Sequence, residues 1–476
     1  MADLLKPDLC IIGAGAQGLD MAVAARKAGL SVLLVDTGTP VPGNEPQSAM
    51  QRAALIASAN RAHAIRTASA LGLAQAEPKP NFRAIGERAA ALAEAMLPET
   101  APERLAALGI ELLVGAPVFT GRRVLKLGDA EIAAGNFVLA TGAEPFVPDL
   151  PGLSEVTYFT PHTILDNMRK LSHLLVLGGT PAALELAQAY VRLGAEVTLV
   201  PQGPLLPGFD SEMVAQLLRS LADEGLHILP DASVTAIQPR SQGTGISLLH
   251  ADGSEGALDI SHLLLAMGDV PAFDTEMLAQ ARLRPGRANA DRIQIGPDGQ
   301  TSNPHIWAIG AAAGIADPAQ ARLQADALLQ RLLGHPLPPA PALGGPRLLR
   351  TTPPLAQTGL VQSSAALRPG QSVLRANLAE SIPARASAAT PGSASLIIDS
   401  SGAIAGGAML GEGADALVAV LALAMQRGLS VADLAGLAAP ADGLGSALAE
   451  LGRTYRASHP PGRLARLRAR MTQFRR

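Results

Sequence analysis

Residues 9–36, "LCIIGAGAQGLDMAVAARKAGLSVLLVD", set the fold. Four apolar residues lead into a glycine-rich turn, an alanine-rich stretch follows, and a second apolar run closes on Asp36. Short apolar runs bounded by turn residues read as strands buried on both faces, and the stretch between them reads as a crossover helix. The turn carries glycines at 13, 15 and 18, the GxGxxG spacing. The three glycines do different things. Gly13 makes the tight turn, Gly15 lets a pyrophosphate approach the backbone, and Gly18 lets helix pack on strand. Asp36, eighteen residues past Gly18, stands where a carboxylate accepts hydrogen bonds from a ribose. Gly13, Ala14, Gly15, Ala16, Gln17, Gly18 and Asp36 are therefore the candidate contacts of a first dinucleotide.

The pattern returns at 174–201 as "LLVLGGTPAALELAQAYVRLGAEVTLVP". Laid over the first copy without gaps, Gly178 falls on Gly13, Thr180 on Gly15, Ala183 on Gly18 and Pro201 on Asp36. Two such folds in one chain imply two nucleotides side by side, the layout of an enzyme passing hydride between nicotinamide and flavin. Gly178 and Gly179 are the candidate contacts of the second nucleotide. The copy is altered, however. A β-branched threonine crowds the pyrophosphate position, Pro201 has no group for a ribose, and Gln202 and Gly203 bring no cation for a 2′-phosphate. A nucleotide fold retained for packing is the favoured reading of this copy, with NAD(P)H binding the other.

Length and composition bound the answer further. A chain of 476 residues with 48% hydrophobic and 17% charged residues can bury several cores and divides into two to four domains. The formal charge of −3 argues against nucleic acid as a partner. Cys10 is the one cysteine, so no intramolecular disulfide and no thiolate metal cluster can form, and no metal ligand set stands out. The N-terminus carries no basic segment leading into a free apolar run, and "DALVAVLALAMQRG" at 415–428 is too short to cross a bilayer. The expected location is cytoplasmic, with no transmembrane segment.

Three further stretches belong to the same plan: "FVLATGAEPFVPDLPGL" at 137–153, "LLLAMGDVPAF" at 263–273 and "TSNPHIWAIGAAAG" at 301–314. The first and last are strands running into small-residue turns, which adds Ala140, Thr141, Gly142, Gly310 and Ala311 to the candidate cofactor contacts. The expected fold class is α/β, with two Rossmann-like dinucleotide-binding domains and a C-terminal α+β domain. The boundaries read as 1–150 for the first part of one nucleotide domain and 151–262 for the second. The first then resumes over 263–335, followed by a proline-rich linker at 336–346, a third domain at 347–452 and a basic tail at 453–476.

This order resembles the class I pyridine nucleotide–disulfide oxidoreductases, the family of dihydrolipoamide dehydrogenase and mercuric reductase. The resemblance covers nearly the whole chain, including "GAIAGGAMLGEGADALVAVLALAMQRGLSVADLAGL", which is similar to the family's dimerisation domain. It implies FAD in the first domain, NAD(P)H in the second and a symmetric homodimer. It also implies a CxxxxC pair shortly after the ribose-binding acid, and counting from Asp36 puts Asn44 and Ala49 at the two cysteines and Ala53 at the following lysine. Neither Asn nor Ala forms a thiolate, so disulfide exchange is excluded at this site. The lysine's glutamate partner is retained as Glu185. The family's HPTxxE base falls on "DLAGLAAPADGLGSAL", with Ala441 at the histidine, Asp442 at the proline and Ser446 at the glutamate. His459 lies too late in the chain to replace it and reads as a surface histidine. Ala311 stands where the family has an aspartate for the flavin ribityl chain. One lost charge-assisted hydrogen bond costs roughly 1.5–3 kcal/mol, which weakens FAD binding without abolishing it.

Residues 453–476 hold eight arginines and no acid, with Leu464, Leu467, Met471 and Phe474 on one helical face. A helix packing on the protein's own body is favoured over docking to an anionic membrane surface or an acidic protein. Two functions stay open at this point. One is an FAD-dependent oxidoreductase that has discarded the disulfide, with hydride entering from NAD(P)H or a substrate. The other is a non-catalytic pseudoenzyme, a dimeric binding or assembly subunit.

Overall fold

The computed structural model describes residues 4–38, 46–96, 101–273, 275–284, 286, 293–296, 298–335, 345–362, 367–388, 392–439 and 445–460. Asn44, Glu45, Ala441, Asp442, most of the 336–346 segment and the arginine-rich residues from 461 onward lie outside them.

The chain forms two compact units, one of residues 1–207 and 221–340, the other of 208–220 and 341–476. The first unit begins with β1 (Leu9–Ile12), α1 (Ala16–Lys27), β2 (Val32–Asp36) and α2 (Pro46–Arg66). It continues through β3 (Ile110–Val114), β4 (Asn136–Leu139) and β5 (Ala143–Pro145). The second copy follows as β6 (His173–Leu177), α3 (Pro181–Arg192), β7 (Glu196–Val200) and β8 (His227–Ile228). Then come β9 (His262–Leu265), β10 (Asp269–Pro271), β11 (Ile306–Ala308) and α4 (Pro318–Leu332).

These strands make two parallel sheets, ordered β11-β4-β1-β2-β3 and β8-β7-β6-β9. Side chains alternate across the first: Leu9 and Ile11 join Met21, Ala25 and Leu328 in one core, while Cys10 and Ile12 join Phe119, Phe137 and Ile306 in another. α1 buries Gly18, Met21, Ala22 and Ala25, the i, i+3, i+4, i+7 stripe that presents one face to the sheet. It stops where Gly29 takes φ +94°.

α3 is different, because almost its whole circumference is buried, Glu185, Gln188 and Arg192 included. Buried polar groups must find partners, and here they find one another. Arg192, 2% exposed, donates to both Glu224 carboxylate oxygens at 2.7 Å and to Asn60 Oδ1 of α2 at 2.5 Å. Gln188 donates to the same Glu224 at 3.0 Å, and Tyr190 Oη donates to the Ile164 carbonyl at 3.2 Å. The ion pair thereby ties α2, in the first nucleotide fold, to the crossover helix of the second.

The second unit is a five-stranded antiparallel sheet of β12 (Arg347–Leu349), β13 (Leu355–Gly359), β14 (Ser372–Asn377), β15 (Ser393–Ile398) and β16 (Ile404–Leu410). Their order is β12-β13-β16-β15-β14. Helices α5 (Ala414–Gln426) and α6 (Gly445–Ser458) complete its core through Leu417, Leu421, Leu448 and Leu451. α6 continues past residue 452 to Ser458, so the first residues of the basic segment are the end of a helix. His459 is exposed and stacks on Tyr455 at 4.2 Å. Asp210 belongs to this unit as well. It is fully buried and accepts four hydrogen bonds of 3.1–3.2 Å, from the amides of Glu212, Met213 and Gln362 and from Ser395 Oγ. No described helix is long and apolar enough to cross a membrane.

Removing one partner of a buried ion pair leaves the other charge uncompensated. Arg192→Leu is therefore expected to cost about 3–5 kcal/mol in urea unfolding, and adding Glu224→Gln to recover part of the loss. Arg66→Ala, which breaks the exposed pair with Glu77, costs less than about 1 kcal/mol.

Candidate functional site

The two glycine turns are the same object down to individual contacts. Gly13 has φ +113° and Gly178 φ +127°, backbone that only glycine adopts without strain. A methyl added to Gly13 would lie 2.3 Å from the Ala140 carbonyl oxygen, and one added to Gly178 would lie 2.2 Å from that of Ala266. The amide of Gly13 donates to Val35 O and that of Gly178 to Val200 O, both at 2.8 Å. Each turn is thus clamped between the ends of two neighbouring strands, at the carboxyl edge of its sheet where α/β folds bind ligands.

Beyond the clamp the turns part. Helix α1 is capped by Gly15, which offers no side-chain hydrogen bond, so the Ala16, Gln17 and Gly18 amides are left for an anion. A methyl on Gly18 would lie 1.9 Å from Gly13 O, which is why the third glycine is needed. Helix α3 is capped by Thr180, whose Oγ1 accepts from the Ala183 amide at 3.3 Å and donates to Ala266 O at 2.8 Å. Gly179 lies close to the Pro204–Leu205 backbone, and its carbonyl accepts from the Leu206 amide at 2.8 Å.

Around the first turn the structure gathers most of the sequence-derived candidates. Ala140, Thr141 and Gly142 form the turn against Gly13, and Ala272 N donates to Gly142 O at 3.1 Å, which brings β10 alongside. Gly310 lies against the Gln17 side chain and donates its amide to Gln324 Oε1 at 2.9 Å, so Gly310 and the neighbouring Ala311 border the same crevice. Asp36 ends β2 partly exposed, its Oδ1 accepting from the Gly38 amide at 3.0 Å. Ala14 is half-buried on the turn itself. Ala49 and Ala53 are exposed in the first turns of α2, and Ser446 is half-buried at the start of α6.

Three polar atoms of this region are buried without a hydrogen-bond partner among the described residues: Thr141 Oγ1, Arg52 Nε and Gln47 Oε1. Native structures rarely leave such groups unmatched, and each costs about 1–3 kcal/mol if it stays so. Asp269, on the strand paired with β5, feels the Arg52 charge. Its side chain reaches solvent, yet the protein around it desolvates the carboxyl enough to push it above the usual carboxylate range, with Arg52 opposing. A polar, cation-bearing crevice beside an uncapped glycine turn suits a flavin dinucleotide: amides and Asp36 at the phosphate and ribose end, Thr141 and Arg52 toward the ring. The sequence reading missed Arg52, Gln47 and Asp269. No motif marks them, because their meeting depends on α2 and β10 approaching across long sequence separation. Among the described residues no cluster of side chains could hold a metal ion.

The family model described as pyridine nucleotide-disulphide oxidoreductase matches residues 7–326, and that of the family's dimerisation domain matches 345–448. The chain belongs to the pyridine nucleotide-disulphide oxidoreductase family. Members of this class I family are FAD flavoproteins that use NAD(P)H, and the dimerisation match points to a homodimer. The chain is 28% identical over 444 residues to a mercuric reductase of Streptomyces lividans, covering 90% of this chain and 92% of the relative. It is 24% identical over 441 residues to a dihydrolipoyl dehydrogenase of Geobacillus stearothermophilus, with the same coverage of 90% and 92%. Among solved structures, the HOCl-induced flavoprotein disulfide reductase RclA of Escherichia coli superposes with a TM-score of 0.77 at 21% identity, over 94% of this chain and 99% of that one. At that identity the likeness shows the fold.

Gly13→Ala combines a forbidden φ with a backbone clash, and is expected to destabilise the protein by more than about 2 kcal/mol and to abolish flavin retention, read by urea unfolding and visible absorbance. Asp269 gives a pH signature in flavin-free protein. Its folded-state pKa is raised, so its contribution to stability is greatest below the unfolded value of about 4 and is lost as pH rises through the raised value. Asp269→Asn should therefore raise Tm at neutral pH, the gain shrinking toward pH 4.

Proposed function

We propose that this protein is an FAD-dependent oxidoreductase of the family that works without a disulfide. The observation that carries the reading is the placement of its one cysteine. Cys10 is fully buried in the central strand β1, and burial pushes its thiol up to about 12, so it stays protonated at physiological pH. The segment where relatives carry the redox pair has Asn44 and Ala49 instead. No residue of this chain therefore offers a thiolate to a substrate.

When bound, FAD supplies reversible acceptance of a hydride. The chain's own residues bind and orient. The Ala16, Gln17 and Gly18 amides receive the phosphates, Asp36 the ribose, and the Ala140–Thr141–Gly142 and Gly310–Ala311 turns close the crevice from the neighbouring strands. Thr141 Oγ1 and the Arg52 guanidinium offer hydrogen bonds toward the ring, and Asp269 holds or releases a proton at its carboxyl oxygen beside them. Hydride is supplied by NAD(P)H or by another small substrate. The acceptor differs in kind from a disulfide. The working form is a cytoplasmic homodimer.

A second reading, a non-catalytic dimeric binding or assembly subunit, is favoured by a separate observation. Ala311, Ala441 and Ser446 each replace a residue that the family's reaction uses, and the second glycine turn is capped by its own threonine. The visible spectrum of the purified protein, followed during anaerobic addition of NADH or NADPH, discriminates the two. A yellow protein bleached by nucleotide or substrate, with no turnover of lipoamide or glutathione disulfide, is the expected result. A colourless protein that cannot be reconstituted with FAD sinks the first reading. Disulfide turnover by the Cys10→Ser variant would show that a thiol-free route exists and would overturn the assignment as stated.

A further inference from the structure

We propose that the second glycine turn gives no purchase to the adenosine half of a pyridine dinucleotide, so that any nicotinamide nucleotide this protein uses is recognised at its nicotinamide end alone. The inference rests on the reading above that a nicotinamide nucleotide supplies hydride. It assigns the specificity of that site: NADH, NADPH and reduced nicotinamide mononucleotide are equivalent ligands.

The pyrophosphate position comes first. A helix leaves the amides of its first turn without intrahelical partners, and a dinucleotide phosphate ordinarily takes them. In α1 the three amides at Ala16, Gln17 and Gly18 follow a cap with no side chain. In α3 the first of the three is Pro181, which has no N–H. The third, Ala183, already donates to Thr180 Oγ1 at 3.3 Å. Only the Ala182 amide is left. The Thr180 hydroxyl is itself held by donating to Ala266 O at 2.8 Å, so the side chain is fixed where Gly15 of the first copy has none. The threonine thus does for its own helix what a phosphate oxygen would do.

The ribose position is committed in the same way. Pro201 directly follows β7, at the register where Asp36 ends β2. The next residue, Gln202, turns its side chain back into the fold: its Nε2 donates to Val234 O and its Oε1 accepts from Val234 N, both at 3.2 Å. It adopts φ +51° to do so. Gly203 brings no side chain, and the stretch 201–207, "PQGPLLP", contains no lysine, arginine or histidine for a 2′-phosphate. Of the first-turn amides only that of Ala182 is left for a phosphate, and residues 201–207 bring no acid for a ribose and no cation for a 2′-phosphate at the edge of the sheet where the adenosine half would lie.

Each charge-assisted hydrogen bond lost corresponds to roughly ten- to a hundredfold in affinity. Calorimetric titration of the full-length protein with NADH, NADPH and reduced nicotinamide mononucleotide tests the inference directly, whether or not flavin is present. The expected dissociation constants agree within about threefold, a spread below 1 kcal/mol. Heats absent for all three would overturn the inference together with the nicotinamide nucleotide of the proposed function, whereas loss of flavin alone would leave this comparison intact. A dinucleotide that binds more than about tenfold tighter than the mononucleotide, or an NADH-to-NADPH preference of that size, overturns it. The Thr180→Gly/Pro181→Ala variant, checked for folding by circular dichroism, should gain roughly ten- to a hundredfold for NADH and nothing for the mononucleotide. A folded variant without that gain would also count against the self-capped turn as the cause.

Discussion

A glycine pressed against the carbonyl at the end of a neighbouring strand heads each of the two nucleotide folds. At Gly13 and Gly178 the backbone must leave its strand, reverse with positive φ and start a helix within a few residues. There is no room for a Cβ, because the Ala140 and Ala266 carbonyls occupy that space. This contact sets the height at which the helix begins above the sheet, and with it where the free amides of that helix point. The parallel sheets, the crossover helices and the crevice at their carboxyl edge follow from a chain that can make this turn twice.

The same scaffold then carries opposite local chemistry. In the first copy the residue after the clamp lacks a side chain, and the helix keeps its unsatisfied donors facing the crevice. In the second a threonine satisfies the helix from within, and a proline removes another donor outright. The backbone clamps of the two turns are alike; their appetite for an anion is not. The buried Arg192–Glu224–Asn60 cluster fits this division, since it makes α3 a brace for α2, where Arg52 Nε and Gln47 Oε1 are buried without a hydrogen-bond partner among the described residues. A nucleotide fold that has lost contacts to a nucleotide can still be indispensable as the wall of its neighbour's site.

Much of this was legible in the sequence because its signals are local. GxGxxG between two apolar runs, an acid at the end of the second, and the ungapped return of the pattern identify both folds and the family. The substitutions at 44, 49, 311 and 441 can be counted from those landmarks. What stayed hidden is contact between distant segments. Thr180 reads from sequence as a steric obstacle, whereas the structure makes it a cap with two hydrogen bonds. Gln202 reads as a neutral replacement, but it is bonded to Val234 on another strand. Asp269 lies in a turn like many others until β10 pairs with β5 beside Arg52. Periodicity and spacing carry no information about such pairings.

Residues 208–220 bring a consequence for how the molecule is made. They are translated between two parts of the first unit, yet they are built into the second, where the buried Asp210 accepts from Gln362 and Ser395. On the ribosome this segment emerges long before those partners exist, so its carboxylate stays hydrated until the C-terminal sheet arrives. A C-terminal piece cut from the rest would lack this segment and its buried acceptor, and the later strands of the chain complete a structure whose first member was synthesised mid-way through the protein.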